Sequence, residues 1–263
     1  AGGAPTTDNV SNGGSPGQTP TNNSVFRDGV ASTTAFGSAT IYPTRASINT
    51  TSGLSIVEYI GTGSNATIAH GLGAVPKMAL FKNRESAGNN WPVYHVGTGN
   101  THHTFLDGNN AKTAGDRFQD TDPTSSVFSV DGTTDINKST DEHVAYFFAE
   151  IPGYSKFGAF SSGGSGDPFV ECGFTPALIF LKRVSATDDW YVHDTARDTI
   201  NSAYKYLVWS TTAVEASNTS VFIDIISNGF VCDLGGIVTT NDDMIFGAWA
   251  TNPFAGSTPA TAR

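Results

Sequence analysis

Residues 53–255 spell out one pattern twice, at an offset of about a hundred residues, and a chain that repeats itself at this period has to build the same apolar framework twice. Gly53-Leu54-Ser55-Ile56-Val57-Glu58-Tyr59-Ile60 is answered by Gly153-Tyr154-Ser155-Lys156-Phe157-Gly158-Ala159-Phe160. Pro76-Lys77-Met78-Ala79-Leu80-Phe81-Lys82 is answered by Pro176-Ala177-Leu178-Ile179-Phe180-Leu181-Lys182. Trp91 corresponds to Trp190, Phe128 to Phe230, and Val144-Ala145-Tyr146-Phe147-Phe148-Ala149 to Ile245-Phe246-Gly247-Ala248-Trp249-Ala250. What recurs is apolar or turn-forming, which is scaffold material. Few polar groups able to do chemistry recur with it.

The local pattern is β. Ser55–Ile60 and Lys77–Lys82 are short, rich in β-formers and bounded by Gly or Pro. Gly61-Thr62-Gly63, Gly71-Leu72-Gly73, Asp107-Gly108 and Asp131-Gly132 punctuate them as tight turns. No window of a dozen residues holds a 3.6-residue period, although Asp194–Asn201 and Ala213–Ser217 have room for one helical turn each. Strands are expected near 54–60, 66–70, 77–83, 91–96, 103–106, 126–130 and 143–150, and about seven per repeat predicts two tandem β-sandwiches. Ala177–Leu181 and Val144–Phe148 are apolar at consecutive positions, so both faces of those strands should be covered. The expected core includes Trp91, Trp190, Phe128, Phe230, Leu80, Phe180, Phe147 and Phe246.

The domain reading is a low-complexity arm over 1–24, an extended lead-in over 25–52, repeats over 53–152 and 153–255, and a tail over 256–263. The arm is Gly, Pro, Ser, Thr and Asn with almost nothing apolar except Val10. It buries too little to offset its ordering entropy, so it is expected to gain order by packing on neighbouring subunits of a trimer or higher assembly. Ala1 in place of Met leaves a processed product and a piece of a longer protein both open.

Charged residues are 14% of the chain, so its surface is mostly uncharged and polar, which suits an extracellular or virion-surface β-protein. A formal charge of −10 offers no footprint for phosphates, so nucleic acid is not an expected partner. No apolar run approaches the roughly 20 residues that cross a bilayer as a helix. Two cysteines, Cys172 and Cys232, cannot make a disulfide framework and read as buried thiols.

Several residues are candidates for chemistry, each beside a plainer role. Trp91 and Trp190 open the aromatic strands Trp91-Pro92-Val93-Tyr94-His95 and Trp190-Tyr191-Val192-His193, as sugar-stacking platforms or core tryptophans, and recurrence favours the core. His95, His102, His103 and His193 lack metal-ligand spacing and read as surface or loop histidines, with His102 and His103 pointing to opposite faces of a strand. Asp131, Asp135 and Asn137 alternate as in oxygen-rich calcium loops, but the closing bidentate glutamate of an EF-hand is missing and Asx residues ordinarily nucleate turns. They are the candidates if a metal binds; no metal and no cofactor is expected. Ligand-binding candidates are Tyr94, His95, His102, His103, Asp194 and Arg197. The aspartates Asp107, Asp116, Asp120, Asp122, Asp194 and Asp198 single out no catalytic pair, and G-x-S-x-G and P-loop motifs are absent, so no enzyme is expected.

Specific strings add to this. Gly71-Leu72-Gly73-Ala74-Val75-Pro76-Lys77-Met78, Lys82-Asn83-Arg84, Trp91-Pro92-Val93-Tyr94-His95, Ala149-Glu150-Ile151-Pro152-Gly153-Tyr154, Asp194-Thr195-Ala196-Arg197-Asp198, Ser227-Asn228-Gly229-Phe230 and Ala250-Thr251-Asn252-Pro253-Phe254 follow one another in this order. Together they resemble a repeat domain of long structural proteins of marine bacteriophages, tail fibres and other virion appendages. The resemblance covers about residues 50–255. It implies a virion-surface location among other virion proteins and no catalytic site. The second copy departs from the first where Cys172-Gly173-Phe174-Thr175 replaces the glycine loop before Pro76 and where Asp194–Asp198 replaces His95–Gly99.

The expected function is therefore a non-enzymatic fibre or adhesin that presents loops to a host receptor, a cell-surface glycan. The alternatives are a capsid-decorating or filament-forming subunit held by its N-terminal arm, and a glycan depolymerase.

Overall fold

The computed structural model describes residues 24–251 apart from 33, 165, 234 and 235. The expected arm lies outside the described residues except for Ser24, and the expected tail lies wholly outside them. The chain is all-β and divides into two compact units. Among the described residues, unit 1 takes Ser24–His95 together with Gly99–His103 and Ala114–Ala149; unit 2 takes Val96–Thr98, Thr104–Thr113 and Glu150–Thr251.

The first strands are β1 (Val25–Arg27), β2 (Val30–Ala31), β3 (Arg45–Asn49), β4 (Leu54–Ile60), β5 (Ala66–Ala69), β6 (Pro76–Asn83), β7 (Pro92–His95), β8 (His102–Phe105), β9 (Thr113–Ala114), β10 (Val127–Val130) and β11 (Glu142–Ala149). A single-turn helix, α1 (Thr134–Asn137), precedes β11. The later strands are β12 (Ser155–Ser161), β13 (Phe169–Glu171), β14 (Pro176–Arg183), β15 (Trp190–Asp194), β16 (Lys205–Val208), β17 (Ala216–Ser217), β18 (Ile223–Ile226), β19 (Gly229–Cys232) and β20 (Asp243–Ala250). α1 is the only helix among the described residues, and it falls in an Asx-rich stretch expected to be turn. The helical turns expected at 194–201 and 213–217 are not there: residues 195–197 form a non-helical turn, and 212–217 are irregular and then extended.

The first large sheet runs β2-β1-β3-β4-β11-β6-β7-β8-β9, with a two-stranded partner β10-β5. In unit 2 the orders are β12-β20-β14-β15-β16-β17 and β13-β19-β18. β11 pairs antiparallel with β4 and β6, and β20 with β12 and β14, whereas β1 pairs parallel with β3. The lead-in segment thus becomes strands β1–β3 of the large sheet.

Side-chain period decides what is buried. β4 buries Ser55, Val57 and Tyr59, and β11 buries His143, Ala145, Phe147 and Ala149. On this inner face Phe81, Phe128 and Phe147 lie within 5.8 Å of one another by ring centroids. The same alternation corrects three expectations. Ala79 and Phe81 take the inner positions of β6, so Leu80 projects from the other face and is half-buried. Trp91 is also half-buried, outside the core. β11 is not covered on both sides, because Val144, Tyr146 and Phe148 are half-buried.

Unit 2 does bury both faces of its central strand: Ile179, Phe180, Leu181 and Lys182 are all inaccessible. On one face Ile179, Leu181 and Phe246 cluster with Val170, Ile223 and Phe230. On the other, Phe180 meets Trp190 at 5.7 Å and Trp249 at 6.0 Å. Gly247 pairs with Phe180 across β20 and β14, and a Cβ there would sit 2.2 Å from the Phe180 ring. The sheet accepts phenylalanine at 180 because its neighbour has no side chain. Cys172 and Cys232 are buried and free, and burial raises both thiols, Cys172 to about 12.

Candidate functional site

Chain length marks the site. Unit 2 needs ten residues, 195–204, to pass from β15 to β16, whereas β7 reaches β8 through six, 96–101. The longer connection is built outward from Asp194. Its Oδ1 accepts the amides of Ala196 at 3.0 Å and Arg197 at 2.9 Å, an Asx turn that bends the chain off the strand. Arg197 closes back on it, Nε lying 2.6 Å from Asp194 Oδ2 and Nη1 2.7 Å from Glu215 Oε2. Asp198 Oδ2 accepts the Lys205 amide at 2.5 Å, and Asn201 Oδ1 accepts the Ile225 amide at 2.8 Å. Ala203 and Ile223 exchange main-chain hydrogen bonds of 2.9 and 3.2 Å, which fasten the loop to β18.

The result is a cleft of about 210 Å³ lined by Thr195, Asp198, Thr199, Ile200 and Asn201 from the loop, Ile225, Ile226 and Ser227 at the β18–β19 turn, and Thr175, Ala203 and Thr251. Thr175 Oγ1 donates to Ser227 O at 3.0 Å, and the Thr251 amide and hydroxyl donate to Thr175 O, so the far wall is tied to the β18–β19 turn. Ile200 stands 79% exposed at the rim. Beside the loop, His193 is fully buried near Tyr206 and the Ala203 backbone. Burial lowers its pKa to about 4, against the opposing pull of the Ala203 backbone and the Asp198 and Asp194 carboxylates. It is a neutral imidazole at physiological pH.

The lining is hydroxyl, amide and aliphatic, with one carboxylate, Asp198. This set can hydrogen-bond a neutral polyol and cover one apolar face of it. The lining supplies one of the two carboxylates that glycoside hydrolysis ordinarily uses. A shallower depression lined by Gly97, Lys112, Phe160, Ser161, Val184 and Asp243 holds two charged groups that face each other, Lys112 Nζ and Asp243 Oδ2 at 3.8 Å.

Of the ligand candidates, Asp194 and Arg197 shape the cleft loop without lining the cleft. Tyr94 belongs to the core instead, edge-on to Phe118 and Phe128, because all four residues of β7 are buried. His95, His103 and His193 are buried too, which corrects their reading as surface histidines; they occupy buried positions of β7, β8 and β15. Burial lowers His103 to about 4, assisted by the Arg117 charge. Only His102 of this group is half-buried, its ring nitrogen 2.9 Å from Thr101 Oγ1.

The calcium candidates have structural work. Asp135 pairs with Arg117, and burial raises its carboxyl pKa against that attraction. Asp131 Oδ1 accepts the Thr133 amide at 3.0 Å. Asn137 donates to Ser64 O at 2.6 Å and Asp131 O at 2.9 Å and accepts the Thr62 amide at 2.7 Å. Two loops meet so closely there that a Cβ on Gly61 would stand 2.1 Å from Lys138 O. No group of three or more His, Cys, Asp or Glu side chains with metal-holding geometry occurs among the described residues.

Thr199, Ile200, Asn201 and Ser227 were not among the ligand-binding candidates read from sequence. A signal was present: the offset between copies is 99 at Trp91 and Trp190 but 102 at Phe128 and Phe230, so residues are gained between those points. The chain matches the domain of unknown function DUF7483 over residues 24–253. Comparison with curated proteins and with solved structures returns no match.

Proposed function

The chain belongs to the DUF7483 family of domains of unknown function, and from that premise we propose that it is a non-enzymatic virion-surface protein, a phage fibre or adhesin that holds a host glycan in the 195–203 cleft. In this reading the two units are tandem copies of one β-sandwich. Support comes from their strand orders, β4-β11-β6-β7-β8-β9 and β12-β20-β14-β15-β16-β17, which place corresponding strands at corresponding positions. The copies supply the scaffold, and an extended loop in one of them supplies recognition.

The observation that carries the proposal is the lining itself. Threonine, serine and asparagine groups, with isoleucines at 200, 225 and 226, match a sugar ring with hydroxyls at its rim and carbon on its faces. At about 210 Å³ the cleft falls below the roughly 300–1,000 Å³ of drug-sized pockets and suits one monosaccharide unit of a chain. The uncharged, polar surface and the resemblance to phage appendage repeats support the virion location.

The test is binding of the purified protein to host cells and to their isolated surface polysaccharide, followed by saturation-transfer NMR. Thr199 and Ile200 are exposed at the rim, so Thr199→Arg and Ile200→Glu fill the cleft without touching the core. Both variants should melt like the parent and lose binding at least tenfold. Parental binding by both variants would refute the cleft, and release of oligosaccharides would favour a depolymerase. A capsid-decorating or filament-forming subunit is the second reading, and it predicts lattice or filament incorporation without cell binding.

A further inference from the structure

Of the residues that line the 195–203 cleft, Asp198 alone is charged. It is half-buried, and its Oδ2 is committed to the Lys205 amide at 2.5 Å. Its Oδ1 accepts no hydrogen bond and joins no ion pair among the described residues. A half-buried carboxylate oxygen keeps its demand for a donor, which water or a ligand has to meet.

The cations beside it have other work. Arg197 Nε lies 2.6 Å from Asp194 Oδ2 and its Nη1 2.7 Å from Glu215 Oε2, so two carboxylates share one guanidinium. The Lys205 ammonium donates to the Arg197 carbonyl at 3.4 Å, and neither cation lines the cleft. His193 lies close enough to feel the Asp194 and Asp198 charges, yet burial keeps its ring neutral. Asp224, next in the chain to Ile225 of the cleft wall, accepts the Ser202 hydroxyl and adds a further negative charge. Four acids, Asp194, Asp198, Glu215 and Asp224, thus stand around the loop against two bases, Arg197 and Lys205.

The remaining polar groups of the lining are neutral. Asn201 gives its Oδ1 to the Ile225 amide and keeps its Nδ2 as a donor, and the Thr195 and Thr199 hydroxyls both donate and accept. Such groups hold the hydroxyls of any sugar, but none neutralises an anion. A sugar carboxylate or sulfate would bring a second negative charge beside Asp198 with no cation to offset it. A hydroxyl would satisfy Oδ1 with an ordinary hydrogen bond. An ammonium would satisfy it with the shorter and stronger kind in which both partners are charged.

We propose, on the premise that the cleft holds a glycan, that Asp198 sets the charge class of the sugar it takes. A unit with a free ammonium is held most tightly, an uncharged unit next, and a uronate or sulfated unit is excluded. The formal charge of −10 on the whole chain acts in the same direction at long range, because it opposes the approach of an anionic polysaccharide. The two effects separate by mutation. Asp198→Asn removes the local charge and keeps an oxygen for the Lys205 amide, whereas Glu85→Gln, exposed and outside the cleft lining, lowers the net charge by the same amount.

NMR titration of the full chain tests this with the parent, 2-amino and 6-carboxylate forms of glucose, galactose and mannose, at low salt and about pH 6, where the amine is protonated. In each series that binds, the amino form should bind about threefold tighter than the parent sugar and the carboxylate form about tenfold weaker. Asp198→Asn should bring the three forms within about twofold of one another, and Glu85→Gln should keep the wild-type ranking. The wild-type ranking needs no variant, so it decides the matter even if Asp198→Asn melts early. Charge selection by Asp198 is overturned, with the cleft still a glycan site, if wild type binds the carboxylate form as tightly as the parent sugar. The same holds if Asp198→Asn keeps the full ranking, or if Glu85→Gln flattens it equally. Absence of binding in every series overturns the glycan premise and charge selection together.

Discussion

Lys182, with no solvent exposure, donates its ammonium to the main-chain carbonyl of Asp188 at 2.8 Å. Two more carbonyls, Arg183 O at 2.7 Å and Asn109 O at 3.2 Å, complete three acceptors for its three protons. Burial pulls this ammonium down to about 8, and the Asp188 and Asp189 carboxylates oppose that pull. Lys182→Met keeps most of the volume but strands the three carbonyls, so it should cost about 2–4 kcal/mol. Lys82→Met, at a half-buried position where the ammonium has the Asn89 carbonyl, should cost about 1 kcal/mol or less. Chemical denaturation of both variants checks the difference, and equal losses would contradict it.

The two repeated tryptophans should not behave alike. Trp190 is inaccessible, packs on Phe180 and has its indole N–H satisfied, so Trp190→Ala should cost about 3–5 kcal/mol. Trp91 is half-buried, and Trp91→Ala should cost about 1–2 kcal/mol. Melting temperatures of the two variants give the comparison.

Gly247 is required by space. Gly247→Ala puts a methyl 2.2 Å from the Phe180 ring, in a sheet covered on both faces, and should cost about 1–3 kcal/mol through overpacking. Gly164→Ala meets nothing within 4 Å and should stay within about 0.5 kcal/mol of the parent. A Gly247→Ala protein as stable as the parent would mean that the Phe180 ring turns aside freely.

Acid should weaken the fold before carboxylates titrate. Burial lowers His70, His103 and His193 each to about 4. The unfolded chain takes up these protons near pH 6.5 and the folded chain only near 4, so the stability they contribute is complete above 6.5 and is lost as pH falls through 4. Each histidine contributes up to about 3 kcal/mol in that window. Denaturation midpoints measured between pH 7 and pH 4.5 should fall steadily, and a flat profile would show that these rings are hydrated in solution.

Much of the fold could be read from the chain. The strands expected at 54–60, 66–70, 77–83, 91–96, 103–106, 126–130 and 143–150 coincide to within a residue or so with β4, β5, β6, β7, β8, β10 and β11. Alternation and Gly or Pro punctuation are local, and they survive tertiary packing. What alternation leaves open is which face a sheet buries. Leu80 and Trp91 stand in the sequence repeat where Phe180 and Trp190 do, yet only the latter pair is inaccessible: Trp209 and Trp249 pack on Phe180, and Trp190 donates to Phe105 O.

By itself, the sequence determined the all-β class and the places where strands start and stop, since these follow from side-chain period and turn chemistry. The tertiary structure alone decided that His95, His103 and His193 are buried, that Asp131, Asp135 and Asn137 tie loops together, and that residues 195–203 meet Ser227 and Thr251 around a cleft. Each of these depends on groups distant in the chain arriving at one place. A polar side chain reads the same in sequence whether water, a carbonyl or a ligand will satisfy it, and only packing fixes which of them is within reach.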